Sequence, residues 1–126
     1  MLFPFEKLEA WRKAEDLAVD VYALLPKFPA IEQYALCQQI RRAVSSISLN
    51  IAEGCGRLSP KEKVRFIEIA FGSLRETYSQ LHLAQRLGYL SEEELTPIFG
   101  QFINLEKLLN GLSWFYKDQI SEDKSN

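Results

Sequence analysis

The chain has 126 residues, 47% hydrophobic and 25% charged, with a formal net charge of −2 and a pI near 5.5. That length supports one domain, 1–126, and size scaling gives it roughly 6,900 Å² of folded surface. The composition excludes a disordered chain, and the longest uncharged run, 95–105, falls well short of a membrane span.

The opening Met1–Glu6 has neither the basic nor the apolar region of a secretory signal. Cys37 and Cys55 stand at no metal or redox spacing, which fits a reducing cytoplasm.

Turn residues gather at three places: Pro26 to Pro29, Gly54 to Pro60, and Gly88 to Ser91. The intervening stretches are too long for strands and rich in Leu, Ala, Glu, Lys and Gln, so the expected fold is all-α. Four helices, about 6–25, 32–54, 60–87 and 92–118, joined by short connections describe an up-and-down four-helix bundle. The polar tail 119–126 is expected to fray.

The first helix carries Leu8, Trp11, Ala14, Leu17, Ala18, Val21 and Leu25 at helical spacing; the second carries Leu36, Ile40, Ala43, Ile47 and Ile51. In the third, Val64, Ile67, Phe71, Leu74, Tyr78 and Leu81 alternate three and four like a knobs-into-holes seam. The fourth offers Leu95, Phe99, Phe102, Leu105, Leu109, Leu112 and Tyr116. Ser59 with Glu62 and Ser91 with Glu94 read as capping boxes. Gly54 and Gly88 are placed to end helices two and three in a left-handed turn. Pro97 predicts a kink or a late start for helix four. Further apolar residues, among them Phe66, Ile69, Leu83, Ile103, Trp114 and Phe115, exceed what one seam needs and point to self-association.

Catalytic chemistry is sparse. A single histidine, His82, excludes di-iron bundle ligation, no cysteine or histidine cluster has zinc spacing, and no cofactor motif is present. Arg75 and His82 share one face of helix three, a spacing that resembles the motif of helical HEPN ribonucleases, with His as base and Arg as phosphate stabiliser. Glu76 beside the arginine opposes that reading, and a lone surface histidine is the plainer one.

Charge is uneven. Residues 38–75 hold seven Lys/Arg against three Asp/Glu, whereas both flanks are acidic, so the middle third is the candidate to meet an anion. On helix two, Gln39, Arg42, Ser46, Asn50 and Glu53 form one polar face that can be solvated, self-paired between subunits, or turned to a ligand. Small residues, Ala43, Ser45 and Ser46 with Ala70, Gly72 and Ser73, predict close backbone approach.

These residues carry a resemblance. Gln39 to Ala43, Ser46, Asn50-Ile51-Ala52-Glu53-Gly54 and Gly56-Arg57, followed by Ala70 to Leu74 with Glu76 and by Leu87 to Leu90, resemble the 23S rRNA intervening-sequence (S23, "four helix bundle protein") family over about 5–117. The resemblance implies a four-helix protomer in a homopentameric ring. It also implies kinship with the accessory protein of diversity-generating retroelements, which binds nucleic acid and a reverse transcriptase. Motif residues Arg42, Ser46, Asn50, Glu53, Gly54, Gly72, Ser73 and Glu76 are read as packing or subunit contacts.

Five copies of Arg41, Arg57, Lys61, Lys63 and Arg65 would form a basic surface for structured RNA or a ribonucleoprotein, although the acidic pI works against phosphate binding. Phe66 is the one stacking candidate in that segment. The leading expectation is therefore a non-enzymatic, cytoplasmic, RNA-binding oligomer with no membrane partner. A protein scaffold without nucleic-acid affinity is the alternative.

Overall fold

In the first α-helix, α1 (Glu9–Leu24), Ala10, Ala14, Leu17, Val21 and Leu24 are buried. Their four-three-four-three spacing keeps one stripe inward. The computed structural model describes residues 1–125, and every regular element among them is helical. A 3-10 turn, Pro4–Lys7, precedes α1 and another, Leu25–Lys27, follows it. The expected helix 6–25 is thus interrupted at Leu8, whose backbone is extended, and ends where Pro26 has no N–H to give.

Helix α2 (Leu36–Cys55) starts four residues later than expected, because 30–32 form a separate 3-10 turn. Gln33 holds this connection by donating to the carbonyls of Leu25 and Phe28. Buried Cys37, Ile40, Val44, Ile47 and Ile51 form its core stripe.

Helix α3 (Pro60–Arg86) packs between α2 and α4 (Glu92–Ser125), and α1 closes the bundle against α2 and α4. The buried face of α3 is Val64, Ile67, Ala70, Ser73, Leu74, Thr77, Gln80, Leu81 and Ala84. It is rotated from the expected seam: Phe71 is half-buried and Tyr78 is exposed. Small residues are needed where α2 comes close, so the bulky rings fall to the α4 flank. There Tyr78 meets Phe99 and Phe102 at 5.0 and 5.7 Å between ring centres.

Gly88 closes α3 with a φ of 81°, and Tyr89 N–H donates to Ala84 O while Gly88 N–H donates to Gln85 O. That is the paired hydrogen bonding of a Schellman end. Gly54 differs from expectation. It lies inside α2 and is buried against α3, where an added Cβ would sit 3.0 Å from Phe66 Cβ and 3.2 Å from Lys63 O. Its absent side chain serves helix approach rather than a left-handed turn.

The capping at Ser91 is reciprocal: Ser91 N–H donates to Glu94 Oε1 and Glu94 N–H to Ser91 Oγ. At Ser59 only half the box forms, since Glu62 N–H reaches Ser59 Oγ but the Glu62 carboxylate turns to Arg65. Pro97 sits within α4 without delaying its start at Glu92. The helix also runs through the expected frayed tail as far as Ser125, because Ile120 continues the apolar stripe after Tyr116. Asn126 lies outside the described residues.

The accessible surface, 7668 Å², exceeds the roughly 6,900 Å² of a typical monomer of this mass.

Candidate nucleic-acid interface

Gly54 allows α3 to cross the end of α2 so closely that Phe66 lies over the turn between them. Two guanidinium groups rest on this ring: Arg57 Cζ is 4.7 Å and Arg65 Cζ 4.6 Å from its centre. Each arginine also meets a carboxylate, Arg57 Nη2 to Glu53 Oε2 at 3.2 Å and Arg65 Nε to Glu62 Oε2 at 2.9 Å. All four charged groups are substantially exposed. Such pairs contribute only a few tenths of a kcal/mol each, about 0.3–0.5 for neighbours on a helix.

Lys61 is exposed on the first turn of α3. Lys63 differs from it: half-buried, it donates to Cys55 O at 2.7 Å and lies 5.3 Å from the Tyr116 ring centre. This lysine fastens α2 to α4 and is a structural cation. Burial, followed by the neighbouring Cys55 thiol, pushes the Tyr116 hydroxyl up to about 12.

Arg41 stands apart from the other four. It is half-buried near the opposite end of α2, donating to Gln33 O at 3.1 Å and Gln33 Oε1 at 3.2 Å. Sixteen residues of largely helical chain separate it from Arg57, roughly 24 Å at the helical rise. The structure therefore gathers Arg57, Lys61, Lys63 and Arg65 at one corner and leaves Arg41 to hold the α1–α2 connection.

The motif residues of α2 and α3 meet one another within the protomer. Ser46 Oγ and Ser73 Oγ are 2.8 Å apart; Asn50 Nδ2 donates to Ser46 O and Ser46 Oγ at 2.8 and 2.9 Å. Thr77 Oγ1 donates to Ser73 O at 2.8 Å. These bonds pair Ser46, Asn50, Ser73 and Thr77 where α2 and α3 pack, whereas Gln80 Oε1, on the same face of α3 as Ser73 and Thr77, is buried without a hydrogen-bond partner among the described residues. Arg42, Gly72 and Glu76 instead lie exposed, and a Cβ on Gly72 would meet nothing within 4 Å. The close approach expected at Gly72 is absent within the protomer and occurs at Gly54.

Arg75 and His82 are both exposed on α3. Arg75 pairs with Glu106 at 3.5 Å and lies over Phe71, while His82 stacks on Tyr78. The arginine is thus occupied by a carboxylate, and Tyr78 stands against the imidazole.

Two apolar clefts lie on opposite sides of the bundle. One, of about 490 Å³ between α1 and α2, is lined by Val19, Tyr22 and Leu49; the other, of about 350 Å³ between α3 and α4, by Tyr78, Phe99 and Ile103. Sequence periodicity marked Ile103 as surplus to the seam but placed Tyr78 and Phe99 within it, and it did not single out Val19, Tyr22 or Leu49 of the α1–α2 cleft. Trp114, at 65% exposed, was another residue whose neighbourhood the sequence did not reveal. It lies two residues before Tyr116, at the same end of the bundle as Lys63, with Lys117 Nζ 5.2 Å from its ring centre.

No helix among the described residues is long and apolar enough to cross a membrane, and none of their His, Cys, Asp and Glu side chains cluster as metal ligands would.

Among curated proteins, none matches the chain. One similar solved structure is that of a protein of unknown function from the S23 ribosomal protein family of Bacteroides thetaiotaomicron. It shares 27% identity and a TM-score of 0.72, with 82% of this chain and 97% of that one covered. The family model for the 23S rRNA-intervening sequence protein matches residues 6–111, which include the α2–α3 seam and the basic corner. The chain belongs to the 23S rRNA-intervening sequence protein family.

Proposed function

We propose that the protein is a non-enzymatic, cytoplasmic oligomer that binds structured RNA or a ribonucleoprotein through the corner of Arg57, Lys61 and Arg65, with Lys63 setting its shape. The observation that carries this reading is the pair of guanidinium groups held on Phe66 at 4.7 and 4.6 Å beside the exposed Lys61. The four cations of this corner outnumber Glu53 and Glu62, the carboxylates paired with two of them, and screening at physiological salt keeps the acidic remainder of the chain from cancelling that local excess.

A homopentameric ring is the proposed assembly, as the family resemblance implies, and it would repeat the corner five times. The opposed apolar clefts favour head-to-tail contact, α1–α2 of one copy against α3–α4 of the next, which closes into a ring when the rotation allows. They also favour the second reading, a protein scaffold that binds no nucleic acid. A ribonuclease role for Arg75 and His82 is less favoured, since the two side chains are turned to different partners, Arg75 to Glu106 and Phe71 and His82 to Tyr78.

The test is RNA binding by the variant Arg57→Glu, Lys61→Glu, Arg65→Glu, together with its oligomer mass. Loss of binding at unchanged mass supports the reading; unchanged affinity removes the basic corner as the site. Lys63 is left intact in this variant because reversing it would break the contact to Cys55 O and disturb the fold.

A further inference from the structure

Resting on the RNA-binding reading, we infer that Arg57, Phe66 and Arg65 form a backbone clamp for double-stranded RNA rather than a stacking platform for single strands. Single-strand sites use open aromatic faces on which bases stack. Phe66 is half-buried, and its ring already carries Arg57 and Arg65, both within 5 Å of its centre. What the corner offers outward is therefore guanidinium.

The donor count supports the same conclusion. A guanidinium has five N–H donors, and each arginine gives one nitrogen to its glutamate, Arg57 through Nη2 and Arg65 through Nε. Arg65 retains both terminal nitrogens, the pair that can form a bidentate bond to one phosphate. Arg57 retains Nε and Nη1, whose N–H bonds diverge, for single bonds to separate phosphate oxygens. The two Cζ atoms lie within about 10 Å of each other, since both are close to one ring centre. Their orientation is set by three supports: the ring, the glutamates, and the α2–α3 contact at Gly54. An A-form duplex is recognised chiefly by shape and by its phosphates and 2′-hydroxyls, which is what a fixed pair of guanidinium groups can contact.

The experiment compares binding of a short blunt RNA duplex with binding of one of its strands, chosen to be unstructured, for the intact oligomer and two variants that preserve charge. Phe66→Leu removes the ring but keeps an apolar side chain over Gly54. Arg57→Lys with Arg65→Lys keeps the cations but removes the planar guanidinium groups, and covers the case in which Phe66→Leu fails to fold.

The clamp predicts tighter binding of duplex than of strand, and a loss of about tenfold for duplex in each variant. It also predicts an unchanged slope of affinity against salt, because the charge is unchanged. Stronger binding of the strand, or duplex affinity unaltered in both variants, overturns the clamp while leaving RNA binding by the corner in place. Loss of strand binding in Trp114→Ala with both charge-preserving variants silent would likewise overturn it in favour of base stacking. If the unmodified protein binds neither RNA, the functional reading fails and the clamp with it.

Discussion

Replacing Gly54 and Gly72 by alanine should move stability in opposite directions, although both glycines lie inside helices. Alanine in a helix interior is favoured over glycine by about 1 kcal/mol. At Gly72 nothing lies within 4 Å of the new methyl group, so Gly72→Ala should realise most of that gain. At Gly54 the methyl group would stand 3.0 Å from Phe66 Cβ and 3.2 Å from Lys63 O. Carbon contacts are comfortable at about 3.5–4.0 Å, and a backbone carbonyl cannot rotate away as a side-chain tip can. The helices must separate by several tenths of an ångström, and overpacking of this kind costs about 1–3 kcal/mol. Gly54→Ala should therefore be net destabilised by up to about 2 kcal/mol, leaving the two variants about 1–3 kcal/mol apart. At roughly 4 °C per kcal/mol for a chain of this size, that is about 4–12 °C in Tm. Urea unfolding followed by circular dichroism at several protein concentrations would separate this effect from assembly, whose contribution depends on concentration. A Gly54→Ala protein as stable as Gly72→Ala would refute the close approach of α2 and α3 on which the basic corner depends.

Further outcomes follow from the same geometry. The Lys27 ammonium and then the Ser91 cap draw the Glu94 carboxyl down to about 2. Its stabilising effect is present above the ordinary carboxylate pKa of about 4.3 and lost as pH falls through 2, so Glu94→Gln should flatten acid unfolding in that window. Tyr116 behaves oppositely: with its hydroxyl held up at about 12, stability is complete below the usual tyrosine pKa of about 10 and declines as pH rises through 12. Tyr116→Phe should lose this alkaline dependence in a pH series of thermal melts. For the ring, Leu49→Glu and Ile103→Glu should each give monomers, yet an equimolar mixture should form a dimer, because each variant keeps one intact face. Light scattering that showed only monomers in the mixture would contradict the head-to-tail contact.

The bundle was largely legible because its signals are local. Helical spacing in α1 and α2, the Schellman end at Gly88 and the Ser91–Glu94 box involve residues a few positions apart, and all form. The third helix misled because two packing partners divide its surface. A repeat of large apolar residues gives the period but not which flank belongs to α2, and Ala70, Ser73 and Thr77 took that side from Phe71 and Tyr78. Gly54 and Gly72 look alike in sequence, since only the opposing helix decides which one lacks room for a methyl group.

The candidate site was half legible for the same reason. Proximity along the chain brought Arg57, Lys61, Lys63 and Arg65 together, yet it could not show that Lys63 turns inward to Cys55 and Tyr116. Nor could it separate Arg41, whose partner Gln33 lies in the preceding turn. Trp114 and Lys117 reach this end of the bundle only through the antiparallel return of α4, a contact about fifty residues distant from Lys63 in sequence.

The central claim is tested most directly by size-exclusion chromatography with light scattering on protein purified without nuclease, monitoring nucleic-acid and protein absorbance together. The account predicts a particle with a protein mass of five times 14.5 kDa that carries nucleic-acid absorbance. It also predicts that Arg57→Glu, Lys61→Glu, Arg65→Glu keeps that protein mass and loses the absorbance. A clean monomer, or nucleic acid retained equally by the variant, would contradict it.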